Sequence, residues 1–288
     1  MFAFELQFLK WLESIRTGFL TTLFESITIL GEETLIILLV VALWFAVDSR
    51  LARKVFFVTI CSTGLNGVVK NIAQVPRPFD KGITPVRQET ATGFSFPSGH
   101  TQNFSTWTTL FAIKLKKNWL SILVGVLIAL VAFSRLYLGV HYPSDVIVGL
   151  SLGIGMAFLG NYLFERVKDE KKLYLFVLAI FVPFVIYFLI VANERFADFF
   201  KVFGMMGGLT LLAFIQDNTT PLSYDVVWWK KLVRIVIGVA IAFAFKEGLK
   251  LLKMDNLHIN LLLDTLRYFV VVFAVGYLCP LLFKKVKL

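Results

Sequence analysis

Three short segments of the chain carry side chains whose types and spacing could do chemistry. They comprise residues 70–78, 97–100 and 134–145. Together they supply cations, imidazoles and a carboxylate, which can bind an oxyanion, attack it and transfer protons. Two of the three His residues of the chain belong to this set, so we examine the segments one by one.

The first segment places two cations near the end of a predicted helix. Lys70 and Arg77 are seven residues apart, close to two helical turns, so they can share one face. Pro76 and Pro78 end the helix and hold Arg77 at its edge. The pair could bind an anion, although ordinary snorkelling of both side chains to a membrane surface would also explain it.

The second segment predicts a helix start that can bind an anion. Ser98 is a good N-cap, and Gly99 lets a ligand approach the backbone. The free N–H groups and the dipole of the first turn favour negative charge, and His100 lies beside them. The alternative interpretation is a capping turn with an incidental His.

The third segment pairs an imidazole with a carboxylate. Asp145 follows His141 by one helical turn, and Pro143 suits the first position of the next helix. The carboxylate can accept from one imidazole nitrogen and leave the other free to attack. Arg135 adds a planar fork that fits phosphate oxygens. A polar cap on two packed helices would also explain this pattern.

The composition predicts the kind of fold that holds these segments. Of 288 residues, 58% are hydrophobic and 17% charged, with a mean hydropathy of +0.78, whereas about a quarter of the residues of soluble domains are charged. Apolar stretches recur along the chain, which predicts one integral membrane domain. Despite the net charge of +10, no nucleic-acid partner is expected, because most Lys and Arg form short clusters that suit anionic headgroups. The two Cys residues lie far apart in apolar stretches, so a disulfide framework or a zinc site is not expected.

The apolar stretches predict an all-α fold, a polytopic transmembrane helix bundle of about nine spans. The predicted spans are residues 33–48, 52–74, 100–115, 119–138, 143–163, 173–191, 199–215, 232–252 and 261–283. Residues 4–19 place large apolar side chains at helical spacing between charged ones, which predicts an amphipathic helix in the membrane interface within residues 1–32. No binding role is expected of this helix, and its sequence lacks the features of a signal peptide.

The predicted spans divide the chain and orient it. Residues 33–163 would form a core of five spans, and residues 164–288 a C-terminal extension of four. Nine alternating spans place five basic clusters on one membrane face, including the one at the C-terminus, and the positive-inside rule makes that face cytoplasmic. The three polar segments then meet at the opposite, extracytoplasmic face, since all fall at span ends there. Such convergence favours a single site.

The three segments resemble the type 2 phosphatidic acid phosphatase superfamily, which also includes glucose-6-phosphatase and vanadium haloperoxidases. The family pattern is K-x6-R-P, then P-S-G-H, then S-R-x5-H-x3-D, and this sequence matches every position in order. The resemblance implies that His141 attacks phosphorus and becomes a phosphohistidine, that Asp145 orients it, and that His100 protonates the leaving oxygen. It also implies the groups that hold the phosphate oxygens: Lys70, Arg77, Ser98, the Gly99 amide and Arg135.

The reaction implied by this resemblance is dephosphorylation of a lipid phosphate or pyrophosphate. The implied substrates are phosphatidic acid, phosphatidylglycerol phosphate, undecaprenyl pyrophosphate or a sphingoid phosphate. No cofactor and no metal are expected, because Asp80 and Glu89 are too few for a magnesium site. Lys81 and Arg87 in the following loop are candidates for contacts to a headgroup or a second phosphate, or are ordinary loop charges.

The expected partner is the lipid substrate in the bilayer, most simply that of a bacterial inner membrane, with no obligate protein partner. Three alternatives stay open. A phosphotransferase would pass the same phosphoryl group to another lipid, and a haloperoxidase would need vanadate and peroxide. A non-enzymatic lipid transporter would show inverted repeats and broken helices at the midplane, and the sequence shows no convincing repeat.

Overall fold

The computed structural model describes residues 3–215 and 222–288, and within these ranges the chain forms helices and no strands. Short 3₁₀ and π segments adjoin several of the helices. The α-helices, in chain order, are α1 (Ala3–Ser14), α2 (Gly18–Thr28), α3 (Glu33–Ala42), α4 (Ser49–Ala73), α5 (Gly99–Leu115), α6 (Asn118–Tyr137), α7 (Pro143–Arg166), α8 (Glu170–Val191), α9 (Ala197–Ile215), α10 (Trp228–Gly248), α11 (Leu257–Phe273) and α12 (Cys279–Lys285).

Several of these helices are long and apolar enough to cross a membrane. In the described part of the chain, six stretches qualify: Ser49–Lys81, Asn118–Tyr137, Pro143–Arg166, Glu170–Val191, Glu194–Ile215 and Leu257–Lys285. A seventh crossing results if Gly18–Gly31 and Glu33–Val47, bent by 48° at their junction, count as one broken span. The prediction of an all-helical, multi-pass membrane protein is therefore confirmed.

The prediction of nine spans is not confirmed, although each predicted span coincides with a helix. Helix α5 has 17 residues, fewer than the roughly 20 that a crossing needs. Helix α3 has 10 residues before it continues as the π segment Leu43–Val47. In α10, charged residues near both ends leave residues 235–245 as the longest uncharged run.

Helix α1 is amphipathic, as its sequence predicts, but its position in the membrane interface is not confirmed. Leu9 and Leu12 are fully buried and pack against Ile83 and Tyr142. Trp11, on the other side of the helix, is 55% exposed. The apolar face of α1 is therefore used to pack on the protein itself.

The helices form two compact units. One comprises Met1–Leu35 and Cys61–Asn161, and the other Ile36–Ile60 and Tyr162–Leu288. All three polar segments belong to the first unit. The predicted division into residues 1–32, 33–163 and 164–288 stays a prediction.

The second unit contains a tight pair of helices, α9 and α11. At Gly208 of α9, a Cβ would lie 2.9 Å from the carbonyl oxygen of Phe269. Gly204 lies one turn earlier and approaches the backbone of Thr265 in the same way. Small residues at this spacing let two helices pack closely where lipid supplies no hydrophobic driving force.

The first unit is held together by side-chain hydrogen bonds between α4 and α5. The Gln102 amide donates to the carbonyl oxygen of Ser62 at 2.8 Å and accepts from Asn66 at 2.8 Å. The hydroxyls of Ser62 and Thr106 are 2.9 Å apart. All four residues are buried, so their polar groups must be satisfied within the protein. The network sets the register between the end of α4 and the start of α5.

Helix α7 approaches the turn before α5 at Gly149. A Cβ at this position would lie 2.7 Å from the carbonyl oxygen of Ser98, closer than non-bonded atoms normally come. The absence of a side chain lets the Ser98 amide donate to the carbonyl oxygen of Asp145 at 2.9 Å. The turn that starts α5 is therefore held directly against α7.

For the phosphatase activity that the resemblance of the motifs implies, we expect Gly149→Ala to reduce phosphate release by about tenfold or more, because the added methyl group must push the Ser98 turn away from α7. Gly155→Ala is the matched control on the same helix, where a Cβ meets nothing within 4 Å. That variant should keep full activity and gain slightly in stability, by about 0.5–1 kcal/mol. Phosphate release and thermal unfolding in detergent measure both effects, and equal activity of the two variants would contradict the prediction.

Candidate active site

The three polar segments meet at one end of the first unit. Lys70 lies in the last turn of α4, and Arg77 lies just beyond the end of that helix. Ser98 caps α5, Arg135 lies in the last turn of α6, and His141 lies in the loop before α7. The Ser98 amide donates to the carbonyl oxygen of Asp145, which joins the second segment to the third. Arg77 Nη1 lies 3.2 Å from His141 Nε2, which joins the first segment to the third.

His141 and Asp145 form the buried centre of this cluster. The imidazole Nδ1 is 3.2 Å from Asp145 Oδ2, and the two residues are 1% and 0% exposed. The same carboxylate oxygen accepts from the Tyr142 amide at 2.8 Å and from the Ser95 hydroxyl. A carboxylate held by these two other donors can orient the imidazole and keep the proton on Nδ1.

Arg77 approaches the other nitrogen of the same imidazole. Its Nη1 lies 3.2 Å from His141 Nε2 and also donates to the Val140 carbonyl at 3.0 Å. Its Nε donates to the Gly93 carbonyl at 3.1 Å, and Nη2 donates to Thr92 O. A guanidinium can only donate, so Nε2 must present its lone pair. Both contacts of the ring thus favour the same tautomer, with a nucleophilic Nε2 beside a cation.

The surroundings of His141 keep it neutral. Burial lowers its pKa well below the usual range, and the positive charges of Arg77, Lys70 and Arg135 lower it further. The pKa of His141 in the folded state lies below the unfolded value of about 6.5. As the pH falls, the imidazole is therefore protonated in the unfolded protein before it is protonated in the folded protein. The His141 contribution to stability is therefore lost as the pH falls below about 6.5.

The same shift predicts a pH dependence of catalysis. If His141 has the nucleophilic role that the family resemblance implies, the acid limb of kcat/KM should lie below pH ~6.5, because an imidazole can attack only when unprotonated. Lys70→Met removes one of the cations that depress this pKa, so the acid limb should move towards neutral pH. Lys10→Met removes an exposed charge on α1 and should not move the limb. All three proteins are compared on one substrate, so that ionisation of the substrate affects them equally. An acid limb at the same pH in the wild type and in Lys70→Met would contradict the assignment of that limb to His141.

Two buried nitrogen atoms among the candidate site residues have no hydrogen-bond partner. His100 lies in the first turn of α5, and its Nε2 is buried without a hydrogen-bond partner. Arg135 is fully buried, and its Nε likewise has no partner. Lys70 Nζ donates to the Phe94 carbonyl at 2.7 Å. Unpaired buried polar atoms are costly, and a bound oxyanion would supply acceptors for these donors.

Ser98 and Gly99 supply the start of α5. The Ser98 hydroxyl is 3.1 Å from Thr101 Oγ1, and the residue is fully buried. Gly99 begins the helix, and a Cβ there would lie 3.5 Å from Asn66 Oδ1. The first N–H groups of a helix have no acceptor within it, so this turn presents donors beside His100.

The two loop cations predicted from the sequence occupy different surroundings. Lys81 is exposed at the end of the short 3₁₀ helix Pro78–Lys81. Arg87 is only 23% exposed in its side chain and forms an ion pair with Glu32 at 2.8 Å. Within the described ranges, no three His, Cys, Asp or Glu side chains come together as a metal site would require.

Residues of the N-terminal helices reach this site, which the sequence did not predict. Thr28 Oγ1 accepts from Arg135 Nη1 at 2.7 Å, and Gly31 packs against His100, where a Cβ would lie 3.0 Å from the His100 Cβ. Glu5 is 1% exposed, and its carboxylate accepts from the Ser144 amide at 2.8 Å in the first turn of α7. Nothing in the amphipathic pattern of residues 4–19 distinguishes Glu5 from an ordinary surface carboxylate.

Comparison with known proteins identifies the family. The PAP2 superfamily model matches residues 51–169, and the model described as the transmembrane extension of PAP2 superfamily phosphatases matches residues 200–288. The chain belongs to the PAP2 superfamily, as the resemblance of its motifs predicted. The matched region of the first model contains all three polar segments.

The relatives with similar sequences are phosphatases by name. Phosphatidylglycerophosphatase B of Bacillus subtilis is 37% identical, over 38% of this chain and 55% of its own length. Undecaprenyl-diphosphatase of Sulfolobus acidocaldarius is 36% identical, over 38% of this chain and 52% of its own length. The chain thus spans about half the length of these curated relatives. The crystal structure of a PAP2-type phosphatidylglycerolphosphate phosphatase from Bacillus subtilis is 30% identical with a TM-score of 0.49, covering 57% of this chain and 86% of that one.

Proposed function

We propose that the protein dephosphorylates a membrane lipid, without a metal, through a phosphohistidine formed on His141. The observation that carries this proposal is the environment of that imidazole, with Nδ1 against Asp145 at 3.2 Å and Nε2 facing Arg77 at 3.2 Å. Such a ring is oriented, neutral and next to the charge that would bind the phosphoryl group. The names of the relatives support a lipid phosphate or diphosphate as the substrate class.

The proposed reaction has two steps. The His141 Nε2 attacks phosphorus, the bond from phosphorus to the lipid oxygen breaks, and protonated His100 donates its proton to that oxygen. Neutral His100 then accepts a proton from a water molecule, whose oxygen attacks phosphorus. The P–N bond breaks, which releases inorganic phosphate and restores His141.

The cations of the site stabilise the charge that shifts during both steps. Arg77 adjoins the attacking nitrogen, while Lys70 and Arg135 approach from α4 and α6. The Ser98 hydroxyl and the Gly99 amide add neutral donors at the start of α5. Donors held in place before the reaction need no reorganisation as charge develops, which makes them effective in a buried site.

We place this site at the extracytoplasmic face of a bacterial inner membrane, with the C-terminus in the cytoplasm. Counting α3, α5 and α10 as crossings restores nine spans, and the basic clusters then share the cytoplasmic face. Helix α1 would lie at the opposite surface, where its exposed Phe4 and Trp11 meet the headgroup layer.

The proposal is tested with purified protein in detergent and a chelator. Phosphatidic acid, phosphatidylglycerol phosphate and prenyl diphosphates are offered side by side, and released phosphate is measured. Denaturing the protein during turnover of ³²P-labelled substrate should trap label that is stable to alkali and labile to acid, as expected for phosphohistidine.

Other outcomes separate the alternatives. A requirement for added magnesium, or trapped label on a residue other than His141, would refute the mechanism. Appearance of the label in a second lipid rather than in free phosphate would identify a phosphotransferase. Lipid movement across vesicles that persists in His141→Ala would identify a transporter.

A further inference from the structure

Arg87 is connected to the His100 side of the site. It pairs with Glu32 at 2.8 Å, and Glu32 directly follows Gly31, where a Cβ would lie 3.0 Å from the His100 Cβ. Arg77, by contrast, contacts His141 Nε2 at 3.2 Å. In the proposed reaction His100 serves the leaving oxygen and His141 attacks from the other side. Arg87 therefore lies towards the leaving-group end of the site.

The backbone of Arg87 adopts an unfavourable conformation. Its backbone is left-handed, with φ 56°, a conformation that costs a non-glycine residue free energy and persists only where surrounding contacts enforce it. Its guanidinium donates to the Glu25 carbonyl at 3.2 Å and pairs with Glu32 at 2.8 Å. The side chains of this pair are 23% and 21% exposed, so both charges are largely removed from solvent.

Thr90 connects Arg87 to a second guanidinium, that of Arg135. The Thr90 hydroxyl donates to the Arg87 carbonyl at 2.9 Å and lies 3.5 Å from Arg135 Nη1. A guanidinium that is paired with a carboxylate can pair with a phosphate group instead, because both anions accept its paired N–H donors.

We propose that Arg87 binds a second phosphate at the leaving-group end, and that Glu32 occupies this place until a lipid diphosphate displaces it. This inference rests on the proposed function and names its substrate class as lipid diphosphates. A neutral headgroup such as glycerol would offer nothing to replace the carboxylate. The leaving group would then be a lipid monophosphate, whose charge Arg87 neutralises as the bridging bond breaks.

The test compares farnesyl diphosphate with farnesyl monophosphate, which differ only in the second phosphate. Arg87→Met should lower kcat/KM for the diphosphate by at least about tenfold and change that for the monophosphate by less than about twofold. Arg87→Lys should retain part of the preference. Glu32→Gln should lower KM for the diphosphate, and it should have no such effect once Arg87→Met is also present.

Two controls make the result specific. Lys10→Met removes one exposed positive charge from the same unit and should affect the two substrates equally. Binding is followed without turnover in His141→Ala, by the shift in thermal unfolding that inorganic pyrophosphate or phosphate produces. Pyrophosphate should protect more strongly than phosphate, and Arg87→Met should remove this difference.

The outcomes are distinguishable. If Arg87→Met lowered kcat/KM equally for both farnesyl substrates, or left the preference for the diphosphate unchanged, the proposed role of Arg87 would be overturned. So would equal protection of His141→Ala by pyrophosphate and phosphate. A wild-type protein that releases no phosphate from either substrate would refute the proposed function instead, while the unfolding shifts would still decide whether Arg87 binds a second phosphate.

Discussion

Replacing His141 by Ala is expected to lower phosphate release by about 10⁴-fold or more, because the variant has no nitrogen to form the covalent intermediate. The loss should appear in kcat on every lipid phosphate tested, since each substrate needs the same attack. The measurement is single-turnover and steady-state phosphate release in detergent. Trapped phosphoenzyme should disappear together with the activity.

The matched control is His258→Ala. His258 is exposed in the first turn of α11, in the other unit of the chain, and its replacement should leave activity within about twofold. Thermal unfolding of both variants separates a chemical loss from a folding defect. Substantial activity in a correctly folded His141→Ala protein would show that another group attacks phosphorus.

Replacing His100 by Asn is expected to lower the rate on alkyl phosphate lipids by about 10²–10⁴-fold, the usual value of a general acid. The effect should depend on the leaving group. An alkoxide leaving group needs a proton, which His100 would donate in the proposed reaction. p-Nitrophenolate leaves without one, so hydrolysis of p-nitrophenyl phosphate should lose much less activity. The buried and unpaired Nε2 of His100 is the atom that would carry this proton.

The comparison between the two substrates distinguishes a chemical role from a structural one. His100 packs against Gly31, so its replacement could also loosen the site. A loosened site would reduce hydrolysis of both substrates in proportion. Equal losses on the lipid and on p-nitrophenyl phosphate would therefore exclude His100 as the general acid, whatever their size.

The local parts of the site could be predicted because short motifs determine their own geometry. Asp145 reaches His141 since four residues at a helix start make one turn. The helix begins at Gly99 after Ser98, as predicted, although the Ser98 hydroxyl lies 3.1 Å from Thr101 Oγ1 and makes no side-chain capping bond. The recurring apolar stretches predicted a multi-pass bundle, but they could not decide the number of spans, because α5 and α10 are short or charged and depend on neighbouring helices.

The contribution of the N-terminal helices could not be predicted. Thr28 and Arg135 form a hydrogen bond although they are 107 residues apart in sequence, and Glu5 and Ser144 do so at a separation of 139 residues. Contacts at such separations depend on how helices pack, and no periodicity in residues 4–19 encodes them. The amphipathic pattern of α1 suits a membrane surface and a protein surface equally, since both offer an apolar layer beside a polar one.

The hydrogen bonds between α4 and α5 bear on how a lipid could reach and leave the proposed site. Ser62 and Asn66 lie one turn apart on α4, and both form hydrogen bonds with Gln102 of α5. Thr63 of α4 also donates to Asn103 of α5 at 2.9 Å. Alternating access requires one group of helices to rock against another, and such rocking would strip these donors and acceptors of partners in a medium that offers no water. If the proposed function holds, helices joined in this way would keep one arrangement, and the lipid would diffuse sideways to the site and leave by the same surface of the bilayer.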